Sequence, residues 1–196
     1  MAVVNLKKHQ IECKIVYYGL ARCGKTTNLE YIHKTFSQHV KGKMISIDTE
    51  GDRTLFFDFL PLELGKVKGC DVRVQLYTVP GQVRYASTRK LVLRGADGVV
   101  FVADSQTERF EANLESLQDM LENLRDYKIE FATIPYVLQL NKRDLPNVTP
   151  ANELISILRK KEEPVLEAVA YKGDGVVDTL KAISKLIMSE VKNKIG

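Results

Sequence analysis

Hydrophobic positions along the chain follow two periods, one typical of strands and one typical of helices. Continuous or alternating apolar runs that predict strands stand at residues 11–18, 98–104, 136–140 and 164–170. Apolar residues recur every three or four positions, which predicts amphipathic helices, over residues 25–36, 110–124 and 176–191. Strands that alternate with helices predict an α/β fold with a mostly parallel central sheet and helices on both faces.

Three weaker segments complete this pattern. Residues 72–77 alternate apolar and polar side chains and predict a half-exposed strand, residues 44–47 are a short strand candidate, and residues 151–159 predict a weaker helix. The 196 residues are 44% hydrophobic and contain no internal repeat or long linker. We therefore expect one globular domain that spans residues 1–196.

Composition and charge exclude several classes of protein. The net charge of +4 is mild for a nucleic-acid binder, so we expect no nucleic-acid partner. The three cysteines have no CxxC spacing and the three histidines form no ligand pattern, which argues against a disulfide scaffold or structural zinc and favours the reducing cytoplasm. No run approaches the roughly eighteen apolar residues of a membrane span, so we expect no integral membrane segment.

The segment "GLARCGKT" at residues 19–26 matches the P-loop pattern GxxxxGK[ST] between a predicted strand and a predicted helix. Backbone N–H groups of such a loop curve around phosphates, and the following helix adds the positive end of its dipole. Lys25 is expected to reach the β- and γ-phosphates, and the Thr26 hydroxyl to bind Mg²⁺. The candidate nucleotide-binding residues here are Gly19, Ala21, Arg22, Cys23, Gly24, Lys25, Thr26 and Thr27. This motif alone does not distinguish ATP from GTP.

The tetrapeptide "NKRD" at residues 141–144 follows a predicted buried strand and points to guanine. The Asp144 carboxylate can accept hydrogen bonds from guanine N1–H and the 2-amino group, a donor pair that adenine lacks. A buried site built this way rejects the wrong base by about 10⁴-fold. Asn141 can bond the base edge and brace the P-loop, and the Lys142 stem can lie along the base plane.

A further segment, "EAVA" at residues 167–170, ends the next predicted strand. The backbone N–H groups of Val169 and Ala170 are candidates for contact with guanine O6. Ordinary strand packing explains the same four residues, and the sequence leaves both interpretations open.

With these motifs the chain resembles the Ras-like small GTPases and, more closely, the bacterial MglA family, whose members act in gliding motility and cell polarity. The segments that carry the resemblance, within residues 8–192, are "KIVYYG", "GKTTNL", "RTLFFDFLPL", "LYTVPGQ", "DGVVFVADS" and "NKRDLP". The resemblance implies a Ras-like small G domain of the P-loop NTPase class that binds GTP or GDP with Mg²⁺ and hydrolyses GTP.

The resemblance also implies two switch segments. Thr54 matches the threonine that completes Mg²⁺ coordination with Thr26, and Arg53 matches a catalytic arginine supplied from the same chain. Such an arginine is worth about 10³ to 10⁵ in rate, although an exposed loop arginine is the alternative. In the second switch, the Gly81 N–H would sense the γ-phosphate and Gln82 would orient the attacking water.

Two positions depart from the usual pattern. Thr78 stands where most Ras-like proteins have the aspartate that holds Mg²⁺ through water, and we hypothesise that Asp58 takes over part of that role. Ala21 stands where the family usually has glycine, so its methyl group is expected to slow intrinsic hydrolysis by crowding the catalytic residues. Cys23 is either a redox-sensitive thiol or an inert loop cysteine.

By resemblance, the expected partners are a homodimeric MglB-like activator of the Roadblock fold and effectors that bind the GTP state, with recruitment to a cell pole or membrane through partners. One of the adjacent Phe56 and Phe57 is a candidate for the partner surface, because neighbours on a strand face opposite sides. Basic residues near the second switch are either further contacts or solvated surface, namely Arg84, Arg89, Lys90 and Arg94.

Two alternatives stay open from the sequence. A module that binds nucleotide but barely hydrolyses it would fit Ala21, whereas Arg53 and Gln82 argue for hydrolysis. A paralogue with a different cellular process would also fit the altered P-loop. A P-loop nucleotide kinase lacks support, because it would need a lid and an acceptor-base pocket and would leave NKRD unexplained.

Overall fold

Eight strands form one sheet in the computed structural model, which describes residues 3–5, 9–38, 44–47, 57–81 and 85–195. In chain order the strands are β1 Val3–Asn5, β2 Gln10–Tyr18, β3 Ile45–Ile47, β4 Phe57–Val67, β5 Cys70–Thr78, β6 Gly98–Asp104, β7 Tyr136–Asn141 and β8 Val165–Glu167. Their order across the sheet is β3-β4-β5-β2-β6-β7-β8, and β1 also pairs with β2.

The centre of the sheet is parallel and its additions are antiparallel. Strands β5, β2, β6, β7 and β8 are parallel to one another, whereas β3 and β4 form an antiparallel edge beside β5. Strand β1 pairs with Gln10–Glu12, and β6 pairs with Ile15–Tyr18, so the two share one side of β2. The predicted α/β fold with a mostly parallel sheet is confirmed.

Five helices cover the two faces of the sheet in the described residues. They are α1 Lys25–Thr35, α2 Ala86–Leu93, α3 Phe110–Asp126, α4 Ala151–Leu158 and α5 Val176–Ile195. Helices α1 and α5 pack in one core cluster, and α2, α3 and α4 pack in the other. None of these helices has the length and apolar character that a bilayer crossing demands.

Strand β2 shows how its sequence divides these two cores. Ile15 and Tyr17 point into the core with α1 and α5, whereas Val16 and Tyr18 point into the core with α2, α3 and α4. All four are fully buried. Because successive strand residues face opposite sides, an uninterrupted apolar run is what a strand between two helical layers requires.

The elements predicted from long apolar runs have close to their predicted bounds, and one shorter strand differs. The strand predicted at residues 164–170 ends at Glu167, and Val169 instead pairs with Asp174 in an isolated bridge. A buried strand was one interpretation of the apolar residues 56–62, where β4 begins, whereas the pattern did not predict β1 or α2. The alternating strand at residues 72–77 is confirmed within β5, whose buried and exposed residues alternate.

The parallel strands set the position of the candidate site. The carboxyl ends of β2, β5, β6, β7 and β8 lie at one edge of the sheet, as parallel pairing requires. The loops that follow them therefore meet at this edge. They include residues 19–24, 79–81, 141–144 and 168–171.

Candidate functional site

The loop between β2 and α1 is shaped by residues with left-handed backbone angles. Gly24 has φ 104° and Arg22 has φ 63°. A Cβ atom on Gly24 would lie 2.1 Å from the Asn141 side-chain nitrogen, so no other residue fits there without a shift. Helix α1 begins at Lys25 without a side-chain cap, and its first turn has no acidic residue. Its first N–H groups therefore suit an anion.

Lys25 closes the loop by reaching back across it. Its Nζ atom donates to the carbonyl oxygens of Gly19 at 2.9 Å and Leu20 at 2.6 Å, and the residue is only 7% exposed. Its Nζ also lies 3.7 Å from the Cys23 sulfur. Burial raises the pKa of the Cys23 thiol, which favours the inert interpretation of this cysteine over a reactive one.

Asn141 connects the loop at residues 19–24 to the segment after β8. Its Nδ2 donates to the carbonyl of Cys23 at 2.8 Å, and its Oδ1 accepts from the backbone N–H of Ala170 at 2.9 Å. The residue is 2% exposed. The expected brace between NKRD and the P-loop is therefore present in the structure.

Lys142 is held by a buried carboxylate that the sequence analysis did not single out. Its Nζ donates to Asp104 Oδ2 at 2.5 Å and to Gln106 Oε1 at 3.2 Å, and Asp104 is 1% exposed. Asp104 ends β6, so its position at the carboxyl end of a parallel strand was a signal that could have identified it.

These loops enclose a cavity of about 330 Å³. Its lining residues are Arg22, Gly24, Thr27, Asn141, Lys142, Asp144, Leu145, Val169, Ala170 and Tyr171. The structure thus brings together the phosphate-loop candidates and the NKRD candidates that are far apart in sequence. The sequence analysis did not name Leu145 and Tyr171, and nothing in their types marks them as site residues.

Asp144 is partly covered by two residues that follow "EAVA". The Tyr171 hydroxyl donates to Asp144 Oδ2 at 2.9 Å, and Lys172 Nζ lies 3.7 Å from the same oxygen. The acceptor that sequence analysis assigns to the base is therefore paired with side chains of the neighbouring loop.

The N–H groups of Val169 and Ala170, which are candidates for contact with guanine O6, each donate to an acceptor of the protein in this structure. Their contact with the base stays a prediction. The Val169 N–H donates to the Asp174 carbonyl at 3.0 Å, and the Ala170 N–H donates to Asn141 Oδ1. The cause is the tight bridge between Val169 and Asp174, which the linear pattern does not reveal.

A second cluster joins α1, β4 and β5 through Asp58. The hydroxyls of Thr26 and Thr78 donate to Asp58 Oδ2 at 2.6 and 2.8 Å, and Thr78 Oγ1 accepts from the Asp58 N–H at 2.9 Å. Asp58 is 9% exposed. The structure therefore places a carboxylate beside the P-loop threonine, on the strand next to Thr78.

Gly81 lies against the phosphate loop. A Cβ atom on Gly81 would be 2.2 Å from the backbone nitrogen of Ala21 and 2.4 Å from its Cα. The second switch candidate thus contacts the loop at the residue that departs from the family pattern.

Several predicted residues cannot be placed. Arg53, Thr54, Phe56, Gln82 and Arg84 lie outside the described residues. Within the described part, Phe57 and Phe59 are half-buried against the Tyr77 ring, with centroid distances of 5.8 and 4.9 Å.

The basic residues predicted near the second switch do not all lie at the surface. Arg89 is only 7% exposed, and its Nε donates to Asp119 Oδ2 at 2.7 Å. It therefore joins α2 to α3 rather than presenting its charge to a partner. Lys90 pairs with Asp126 at the surface, and Arg94 is exposed.

The fold and this site define a Ras-like small GTPase, an enzyme that hydrolyses GTP. The sequence model of the ADP-ribosylation factor family matches residues 1–187, nearly the whole chain. This match confirms the class expected from the motifs.

Within that class, the chain belongs to the MglA family. It is 55% identical over 192 residues to the mutual gliding-motility protein MglA of Myxococcus xanthus, with 98% of each chain covered. More distant relatives include the Ypt/Rab-type GTPase ypt7 of Schizosaccharomyces pombe, 26% identical with 94% of this chain and 85% of the relative covered. The ADP-ribosylation factor-like protein 6 of Caenorhabditis elegans is 25% identical, with 93% and 90% covered.

Proposed function

We propose that this protein is a GTP-dependent switch in gliding motility or cell polarity, that it acts in the cytoplasm, and that residues 1–196 work as one GTPase domain. The observation that carries the proposal is the pair of hydrogen bonds made by Asn141. They connect the phosphate loop at Cys23 and the segment at Ala170 beside one cavity. A nucleotide bound there would have its phosphates at the start of α1 and its base at Asp144.

Mg²⁺ is the metal that fits the residues at this site. Hard oxygen ligands suit it, and it usually keeps several waters. The Thr26 hydroxyl is the proposed direct ligand, together with Thr54, and Asp58 is the proposed carboxylate that binds the metal through water. The bonds from both Thr26 and Thr78 to Asp58 support this assignment, because they hold a charge beside the expected ligand. Bound Mg²⁺ would neutralise charge on the phosphates.

The proposed switch has two parts. Arg53 and Gln82 are the proposed catalytic residues, Arg53 to offset negative charge at the γ-phosphate and Gln82 to orient water. The backbone of Gly81 lies close to the backbone of Ala21 in the phosphate loop. This proximity supports a second switch that responds to the γ-phosphate, because a phosphate held by the loop would be near the Gly81 N–H.

The proposed partners are a homodimeric MglB-like activator of the Roadblock fold and effectors that bind the GTP state. The likeness to a mutual gliding-motility protein supports a role in motility. Loading the protein with GDP or a non-hydrolysable GTP analogue and comparing the proteins it captures tests this part. Equal capture in both states would argue against a switch.

Nucleotide binding tests the core of the proposal. We expect fluorescent GDP to bind at least about 10³-fold tighter than the matching ADP analogue, because adenine lacks the N1–H and 2-amino donors that the Asp144 carboxylate accepts from guanine. Asp144→Asn should shift preference towards xanthosine diphosphate, since the amide N–H can meet the 2-keto oxygen. Asp126→Asn, at the end of α3 and paired with Lys90 at the surface, is the matched control. Equal affinity for adenine and guanine nucleotides would overturn the proposal.

A further inference from the structure

The hydroxyl of Tyr171 forms a hydrogen bond with the Asp144 carboxylate, which is the proposed acceptor for the guanine base. It donates to Asp144 Oδ2 at 2.9 Å, which is good hydrogen-bond geometry. Both residues line the same cavity. The ring of Tyr171 is mostly in solvent, since the residue is 65% exposed. The phenol O–H donates a hydrogen bond to Asp144, as the N1–H of a bound guanine would.

The backbone around Tyr171 is fixed, so the side chain is the part that can move. The Lys172 N–H donates to the Val169 carbonyl at 2.9 Å and closes a tight turn with Tyr171 inside it. The bridge between Val169 and Asp174 closes the same loop. Rotation of the exposed side chain can release Asp144 without any change in this backbone.

Lys172 contacts the same oxygen but is the weaker of the two. Its Nζ lies 3.7 Å from Asp144 Oδ2, and the Lys172 side chain is half exposed. Ion pairs of this kind contribute little, and salt screens them. A hydrogen bond to a charged acceptor contributes more. The phenol is therefore the main group that guanine must displace.

We propose that Tyr171 is an intramolecular competitor of the guanine base for the Asp144 carboxylate, and that this competition lowers the affinity for nucleotide. The inference rests on the proposed function, since it needs guanine to be read by Asp144. Without the phenol, guanine would pair with the carboxylate without first breaking the Tyr171 hydrogen bond, so binding would keep more of the free energy of that pairing. The competitor makes the empty state more stable and so favours nucleotide release.

The test is Tyr171→Phe, which keeps the aromatic ring and removes only the hydroxyl. We expect the dissociation constant for a fluorescent GDP analogue to fall about threefold to tenfold, the factor that one modest hydrogen bond corresponds to. Tyr127→Phe, at the end of α3 and outside the cavity, is the matched control and should leave the constant unchanged. Lys172→Gln should change it by less than about twofold.

A double variant shows whether the effect acts through the carboxylate. In an Asp144→Ala background there is nothing for the phenol to occupy, so Tyr171→Phe should no longer tighten binding. An affinity that is unchanged or weaker in Tyr171→Phe would overturn the inference, and so would a gain that persists without Asp144. Thermal melting of the nucleotide-free variants confirms that each remains folded.

The same titrations separate this inference from the function on which it rests. Failure of the parent protein to bind GDP would overturn the proposed function, and the inference with it. GDP binding by the parent with no gain in Tyr171→Phe would overturn only the role of Tyr171.

Discussion

At the scale of single residues, a carboxylate lies beside the P-loop threonine Thr26, but it belongs to a different strand from the one that usually carries it. Thr78, the last residue of β5, stands at the position that usually carries an aspartate, and its hydroxyl has no charge. The carboxylate comes instead from Asp58 on β4, which pairs antiparallel with β5 so that Phe59 lies opposite Tyr77. Asp58 and Thr78 then meet through two hydrogen bonds. The antiparallel edge therefore places a carboxylate beside Thr26, close to the position where Thr78 carries no charge.

Asp58→Asn tests this assignment. The amide keeps an oxygen acceptor for Thr26 and Thr78 but removes the negative charge. We expect the Mg²⁺ concentration needed for half-maximal GDP retention to rise about tenfold or more, the usual effect of losing an outer-shell partner. Asp71→Asn, an exposed aspartate at the start of β5, serves as the control. An unchanged Mg²⁺ dependence would remove Asp58 from the metal site.

Ala21 is the second residue with a testable consequence. The backbone of Gly81 already approaches Ala21 closely, so the extra methyl group leaves little room where catalytic residues must gather. We expect Ala21→Gly to raise the single-turnover rate of GTP hydrolysis about tenfold, since small displacements of reacting groups cost up to 10²-fold. GDP affinity is measured alongside, because it should change far less. The same rate in both proteins, with and without an activator, would show that Ala21 does not limit hydrolysis.

At the scale of secondary-structure elements, a buried polar network joins α1, β7 and α5. Gln139 exchanges hydrogen bonds with Asn28 at 2.9 and 3.0 Å and donates to Thr179 Oγ1 at 2.9 Å. All three residues are fully buried. Asn28 also donates to the Gly24 carbonyl at 2.8 Å, directly behind the phosphate loop. The network fixes the start of α1 against the strand that ends in Asn141.

Gln139→Leu should therefore lower the free energy of unfolding by about 2–4 kcal/mol, because it leaves two buried polar groups short of partners. Adding Thr179→Val removes one of those groups, so the double variant should cost less than the sum of the two single variants. Urea denaturation of the nucleotide-free proteins measures each value. Gln118→Leu, at an exposed position of α3, should cost less than about 0.5 kcal/mol. A similar small cost for Gln139→Leu would show that the network adds nothing.

The sequence predicts some of these elements well for a physical reason. Strands β6 and β7 are buried on both faces, so their apolar runs are unambiguous. Only the first half of strand β4 was anticipated, as one interpretation of the apolar residues 56–62, because a glycine interrupts the later pattern and the register shifts between Glu63 and Lys66. The Tyr171 contact was equally hidden, since it depends on a turn closed by distant backbone bonds. Sequence motifs identify the residue types at a site, whereas contacts between distant residues such as Tyr171 and Asp144 are visible only in the folded chain.

At the scale of the whole molecule, the two cores bury several acidic hydroxyl and thiol groups. Burial raises the pKa of Cys13 from 9.0 to about 12 and raises the pKa values of Cys23, Tyr17 and Tyr136. Burial, and then the hydrogen bond to Asp119, raise the pKa of Tyr18. These groups keep their protons in the folded protein at pH values where the unfolded chain loses them.

Stability should therefore fall at alkaline pH. Above about pH 9 the folded state binds more protons than the unfolded state, so each such group removes up to about 1.4 kcal/mol per pH unit. Two half-buried lysines, Lys14 and Lys161, have lowered pKa values and act in the opposite direction. The five acidic groups outweigh them, and we expect a net loss of about 3 kcal/mol between pH 8 and pH 10.

Urea midpoints measured across this pH range test the expectation. Cys13→Ala should make the decline shallower, whatever its effect on stability at pH 8, because one of the five groups is removed. Constant stability between pH 8 and pH 10 would contradict this account of the cores.

The position of Asn141 between two loops has a consequence for engineering. Because its single side-chain amide holds both the phosphate loop at Cys23 and the segment at Ala170, a substitution of Asn141 changes both at once. Asp144, three positions later, contacts the side chains of Tyr171 and Lys172 at the edge of the cavity. Engineering of specificity for an unnatural nucleotide should therefore change Asp144 and the residues that contact it, and should keep Asn141.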